Sequence, residues 1–281
     1  MTAPTPFGTR LAAAVADRGP LCAGIDPHAG LLTAWGLGDD LAGLERFALT
    51  ATEALAPVCS VLKPQSAFFE RFGSAGVAVL ERVIATAREG GALVLLDVKR
   101  GDIGSTSQAY ADAYLDPASP LAADAATVSP YLGFGSLSPF VETAQRHGAG
   151  LFVLALTSNP EGPEVQHARI AGAASVAGRM LDHLRALNAD AAPHGSFGAV
   201  VGATIAEPAA EDGVDLDFGG PILAPGFGAQ GGTVDDLRRI FGAAAARVLP
   251  SSSREILAAG PDPVALRDAA VRTTDALAGL A

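Results

Sequence analysis

Cysteine is scarce in this chain. It has two in 281 residues, Cys22 and Cys59. They form no CxxC pair, and no run of Cys and His has zinc-ligand spacing. That excludes a disulfide framework and a structural zinc module. Two reduced, buried thiols fit a cytoplasmic protein. Positive charge is also short: 19 Lys and Arg face 30 Asp and Glu, a formal net charge of -11. An acidic surface argues against nucleic acid, whose phosphates need a basic footprint, and against a polybasic membrane anchor. No apolar run approaches the roughly 18–20 residues of a membrane span. The opening MTAPTPFGTR lacks a basic-then-apolar signal pattern. The expectation is a cytoplasmic chain with no nucleic-acid and no membrane partner. His28, His147, His167, His183 and His194 show no HxxxH or HxH spacing, and read as surface or loop residues. There is no GxSxG elbow. No strand–GxGxxG–helix unit is followed by an acid about 20 residues on, which weakens a dinucleotide-binding reading.

What is present is apolar: 49% of residues are hydrophobic and 17% charged, enough to bury a large core. Eight short apolar runs recur, at 21–26, 60–65, 92–99, 125–130, 150–156, 198–204, 220–225 and 245–252. Near-continuous apolar runs suit strands covered on both faces. Between most of them lie Ala-, Leu- and Arg-rich segments with helical spacing. In 41–58, Leu41, Leu44, Phe47 and Ala48 share a face, continued by Ala51 and Leu55. The segment 76–91 ends in two glycines, a helix stop. TVDDLRRIF opens with Thr233 as a cap and two acids in the first turn. Eight strands alternating with helices predict an α/β fold, a (β/α)8 TIM barrel, with an open doubly wound sheet as the alternative. No linker or composition break divides 1–281, so one domain is expected. The stretch from 157 reads as a loop over one barrel end.

The charges fall in a pattern. In a strand, alternate side chains share a face. In LVLLDVK, Leu93, Leu95, Asp97 and Lys99 lie on one side, and Val94, Leu96 and Val98 on the helix-facing side. The inner face turns charged only at its C-terminal end, the end at which active sites of this fold lie. Asp26 ends the first run and Lys63 the second in the same way. After the seventh run comes PGFGAQGGT, with four glycines and Gln230; after the eighth comes SSSREIL, with Arg254. Phosphate sites of such barrels often follow strands seven and eight, and backbone N–H groups in a glycine-rich loop can face an anion.

These residues resemble the orotidine 5'-phosphate decarboxylase family, in its longer bacterial branch (type 2). The resemblance rests on DVKRGDIGST, with its aspartate-x-lysine-x-x-aspartate, together with LCAGIDPH, VLKPQSAFFE, VSPYLGFGSL, LTSNPEG, VVGAT and APGFGAQGG, spanning roughly residues 10 to 260. It implies decarboxylation of orotidine 5'-phosphate to uridine 5'-phosphate and CO2, the last step of de novo UMP synthesis, with no metal and no cofactor. It implies that Lys99 protonates pyrimidine C6, that Asp97 lies beside the substrate carboxylate, and that Lys63 and Asp102 complete a Lys-Asp-Lys-Asp array. Asp102 and Thr106 would come from the partner subunit of a homodimer. Asp26 would bind the ribose, Ser158 would read the pyrimidine edge, and Gln230 and Arg254 would grip the phosphate. The segments 157–170 and 226–234 would be lids. By alternation Arg100 points away from the pocket, to a structural ion pair. Two rivals remain. A Mg-dependent sugar-phosphate decarboxylase or hexulose-phosphate synthase shares the scaffold, but it carries an acid at the end of strand two, where Lys63 would repel a cation. A noncatalytic nucleotide-phosphate-binding barrel would have no use for intact Asp97, Lys99 and Asp102.

Overall fold

The computed structural model describes residues 4–170, 174–203, 213–226 and 234–280. The eight apolar runs form eight strands: β1 Cys22–Ile25, β2 Val61–Pro64, β3 Leu93–Arg100, β4 Ala125–Val128, β5 Gly150–Leu156, β6 Phe197–Val201, β7 Ile222–Pro225 and β8 Val248–Ser252. Each strand pairs in parallel with the next, and β1 pairs with β8, so the sheet closes. The protein is a (β/α)8 barrel, and the open-sheet alternative falls with the β1–β8 pairing.

Closure buries both faces of every strand, which is why the runs are apolar throughout. The inner face is one cluster with a residue from each strand: Cys22, Val61, Leu95, Ala125, Phe152, Val200, Leu223 and Leu249. Val94, Leu96 and Val98 belong to the outer cluster against the helices, as alternation requires. The N-terminal end of the barrel is plugged by helix α1, Phe7–Arg18. Its Phe7 and Leu11 join the inner cluster, and Phe7 meets Phe152 edge-on with centroids 6.1 Å apart. Gly150 leaves the room, since a Cβ there would lie 2.3 Å from the Phe7 ring. The C-terminal end is the open one.

Helix α2 (Ala29–Ala34) follows β1. Helix α3 (Leu41–Leu55) buries Leu44, Phe47, Ala48, Ala51 and Leu55, the predicted face. Leu41, counted on that face, is exposed, because it opens the helix before the apolar stripe reaches the barrel. Helix α4 (Ala67–Glu70) is short, and α5 (Gly73–Glu89) stops at Gly90–Gly91, where Gly91 takes φ +86°. Helices α6 (Gly104–Leu115) and α7 (Ser138–His147) follow β3 and β4. The stretch after β5, read as loop at its start, contains α8 (Gly162–Gln166) and then α9 (Val176–Asn188), capped by Ser175. Residues 245–247, expected in the last strand, belong instead to the 3-10 segment Gly242–Arg247. An alanine run has little to pack on a pleated surface. Asp235 and Asp236 occupy the first turn of the helix Val234–Phe241; Thr233, its expected cap, lies outside the described residues. Among the described residues no helix is long and apolar enough to cross a membrane.

Candidate active site

The strand ends surround a cavity of about 500 Å³ at the open end of the barrel. Asp26, Lys63, Asp97, Lys99, Ser158 and Arg254 all line it, so six of the nine predicted site residues converge. Its apolar floor is Leu154, Val200 and Leu223.

Asp97 is the centre of the charged side. Both its oxygens accept from Lys99 Nζ at 2.7 Å. Oδ2 also faces Lys63 Nζ at 3.4 Å, and Oδ1 accepts from the Thr127 hydroxyl at 2.8 Å. Three of the expected four array members are thus in contact within one chain. Asp97 is only 8% exposed, whereas the Lys99 side chain keeps 45% of its surface.

This arrangement depends on an irregularity at the end of β3. Leu96 pairs with Ala126 and Arg100 with Val128, so residues 97, 98 and 99 stand opposite Thr127 alone. On the other edge Asp97 bridges Gln65, and its carbonyl accepts from Ser66 N at 3.2 Å. Lys99 takes φ +48°, alone among non-glycine residues described. A left-handed backbone costs a side chain about 1–2 kcal/mol, a strain of the kind that collects at functional sites. Beyond the bulge the chain passes close to β4. A Cβ on Gly101 would lie 2.3 Å from the Ser129 carbonyl oxygen, so only glycine fits.

The charges stabilise one another. Burial opposes ionisation of Asp97, but Lys63, Lys99 and the hydrogen bonds from Lys99 and Thr127 outweigh it, and the carboxyl lies below the usual range. Burial likewise opposes the charge on Lys63, but Asp26 and Asp97 raise its pKa above the ordinary lysine value. Beneath them Cys22 is pushed up to about 12, chiefly by burial; Cys59 is pushed up to about 12 for the same reason. Neither thiol offers a nucleophile at neutral pH.

The far side of the cavity carries hydroxyls and a cation. Ser251, Ser252 and Ser253 follow one another along the end of β8, and Arg254 opens the short helix Arg254–Leu257. Ser158 follows β5, against Gly202 at the end of β6. Thr157 beside it is tied to Gln166 of α8, which accepts from Thr157 N at 2.9 Å and donates to its Oγ1 at 2.7 Å. Among the described residues, Asp26 Oδ1, His28 Nε2 and Ser253 Oγ are buried without a protein partner. Such atoms around a polar cavity suit a ligand rich in hydroxyls.

Two predicted residues lie elsewhere in this chain. Asp102 is half-buried ahead of α6, its Oδ1 accepting from Ile103 N at 2.7 Å, and Thr106 is exposed on α6; neither lines the cavity. Gln230 lies outside the described residues, as does most of 226–234. Arg100 does turn away, pairing with Glu70 at 2.5 Å and lying over the Tyr110 ring. Sequence reasoning missed Thr127 and His28. The signal for Thr127 was a lone hydroxyl in an apolar strand. The signal for His28 was its place two residues after Asp26; it is a loop residue, as read, but its loop lines the cavity. Among the described residues no cluster of His, Cys, Asp and Glu could hold a metal ion.

A family model described as "Orotidine 5'-phosphate decarboxylase / HUMPS family" matches residues 19–269. The chain is 74% identical over 275 residues to the orotidine 5'-phosphate decarboxylase of Nocardioides sp. (strain ATCC BAA-499 / JS614), covering 97% of this chain and 98% of that one. It is 61% identical over 267 residues to that of Streptomyces coelicolor (strain ATCC BAA-471 / A3(2) / M145), covering 95% of each. Among solved structures, it superposes with a TM-score of 0.95 on a Streptomyces avermitilis ma-4680 protein assigned the same activity. That pair is 60% identical, with 98% of this chain and 96% of the other covered.

Proposed function

Because the chain belongs to the orotidine 5'-phosphate decarboxylase / HUMPS family, we propose how its residues divide the work of that activity. The chain is an enzyme of pyrimidine biosynthesis that decarboxylates orotidine 5'-phosphate to uridine 5'-phosphate and CO2. The division of roles rests on one observation: Asp97 held between the ammonium groups of Lys63 and Lys99 at the cavity wall.

The C6–carboxyl bond breaks so that its electron pair stays on C6 and the carboxylate leaves as CO2. The Lys99 ammonium then gives C6 a proton, and solvent returns one to Lys99 through its exposed side. A fixed cation beside a developing carbanion stabilises it far more than mobile water does. Asp97 keeps that cation aimed, and stands beside the substrate carboxylate. Lys63 holds Asp97 from behind. Asp26 binds the ribose hydroxyls, Ser158 reads the pyrimidine edge, and Arg254 with Gln230 binds the phosphate. The phosphate is remote from the reacting bond, so its binding energy can be used to hold the segment 157–170 over the site; the other expected lid, 226–234, lies mostly outside the described residues.

Asp102 and Thr106 serve the neighbouring subunit of a homodimer. Their position outside their own cavity supports this, as do the exposed apolar side chains nearby: Ile103 is 62% and Tyr131 77% exposed. Patches of this kind mark association surfaces. The enzyme works in the cytoplasm, as one domain over 1–281, and needs no metal or cofactor. Two lysines around the buried Asp97 carboxylate leave a divalent cation poorly served.

The test is turnover of orotidine 5'-phosphate, followed by ultraviolet absorbance, with and without excess EDTA. Equal rates are expected. Activity lost to the chelator and restored by Mg2+ would overturn the metal-free reading.

A further inference from the structure

We infer that Thr127 is a positioning residue for this reaction: one hydroxyl locks the Lys99 peptide and the Asp97 carboxylate into a fixed relation. The inference rests on the roles proposed above for Lys99 and Asp97.

Thr127 is 1% exposed, on the inner face of β4 at the cavity wall. It stands alone opposite the three-residue bulge 97–99. Its Oγ1 accepts from Lys99 N at 2.9 Å and donates to Asp97 Oδ1 at 2.8 Å. The direction of both bonds is fixed. A backbone N–H only donates and an ionised carboxylate only accepts, so the hydroxyl proton points at Asp97. The bond to Lys99 N falls on the one non-glycine residue described with positive φ. Without it, an amide at a strained turn loses its partner, and the turn that aims the ammonium has less to hold it. Without the bond to Asp97, the partner left to Oδ1 among the described residues is Lys99 Nζ. Thr127 touches neither reacting atom; it acts through two residues that do.

The experiment compares Thr127→Val, which keeps the shape and removes the hydroxyl, with Thr127→Ser, which keeps the hydroxyl. Steady-state turnover of orotidine 5'-phosphate is measured across pH. Valine is expected to lower kcat by about 10- to 100-fold with KM within about threefold of the parent. It should also move the acid limb of kcat/KM to higher pH, because Asp97 loses a donor to its ionised form. The groups facing Asp97 are Lys63 from β2, Lys99 on β3, and Asp26 and Cys22 from β1; the substitution changes none of them. Serine is expected to return both the rate and the limb toward the parent. A valine enzyme within about twofold of the parent in kcat would overturn the inference. So would a rate loss with the acid limb unmoved, or one that serine does not repair, since either marks packing alone. If the valine chain does not fold, Thr127→Ala is set against Thr127→Ser on the same readouts, and equality of the two is the overturning result. Lys99→Ala, run alongside, separates the two levels. If it keeps turnover, the proposed roles fail; if it abolishes turnover while valine is harmless, only the inference about Thr127 fails.

Discussion

Asp97 sits where a carboxylate is needed but burial resists one. Two lysines and a hydroxyl reverse the balance, so its folded-state pKa lies below the unfolded value of about 3.9. The unfolded chain then binds more protons in the interval below that value, and stability falls as pH falls through it. Removing the charge leaves Lys63 buried with Asp26 as its remaining carboxylate among the described residues. Asp97→Asn is expected to destabilise the chain by about 3 kcal/mol near neutral pH, and the gap to the parent should close as the pH drops below about 4. Urea unfolding from about pH 7 to about pH 3 measures both. A gap that stays constant in acid would contradict the account of why Asp97 is ionised.

Among the elements, α3 and β3 show two ways in which sequence becomes structure. Helix α3 is local. Its stripe of Leu44, Phe47, Ala51 and Leu55 follows helical spacing, and its start is set by Asp40, which accepts from Gly43 N at 2.8 Å. Asp40→Ala is expected to cost about 1 kcal/mol of stability and to leave turnover unchanged, because α3 packs on the outside of the barrel. Calorimetry beside the absorbance assay checks both; a loss of turnover at equal folding would mean that α3 helps shape the site. Strand β3 is not local in this way. Alternation correctly put Asp97 and Lys99 on the inner face and Arg100 outside. The bulge, by contrast, exists only because β4 offers one residue where β3 offers three. The lone hydroxyl of Thr127 in an apolar strand was therefore too little to mark a site residue: its role is set by the strand it pairs with, not by its own neighbours in sequence.

The whole molecule divides its ends. One is plugged by α1 and Phe7; the other gathers the charge. Against an overall charge of -11, the phosphate site proposed above would rely on Arg254, since Lys63 and Lys99 are already paired with Asp97. If Asp102 and Thr106 complete the neighbour's cavity, each inactive subunit can repair another. Lys99→Ala and Asp102→Ala, each inactive alone, are expected to regain turnover when mixed and allowed to exchange subunits. In the mixed dimer one site carries both defects and the other neither. No recovery, with exchange verified by mass-tagged subunits, would remove Asp102 from a shared site.

The sequence by itself determined the barrel and its chemical end. Eight apolar runs separated by helical segments leave few ways to cover both faces of a sheet, and period-two alternation puts Asp26, Lys63 and Asp97 on the faces that carry Cys22, Val61 and Leu95. It also carried the strings by which the family is legible. The tertiary structure decided what alternation cannot reach. Strand register set the bulge and gave Thr127 to Asp97 and Lys99. Closure of β8 on β1 placed Ser253 beside Gly24 and Asp26, and the fold brought His28 to the cavity that its spacing had not suggested. Side-chain direction along a strand is a property of neighbouring residues. Which strand stands opposite, and in what register, is a property of the closed sheet, and that is where the two lysines and their carboxylate acquire their geometry.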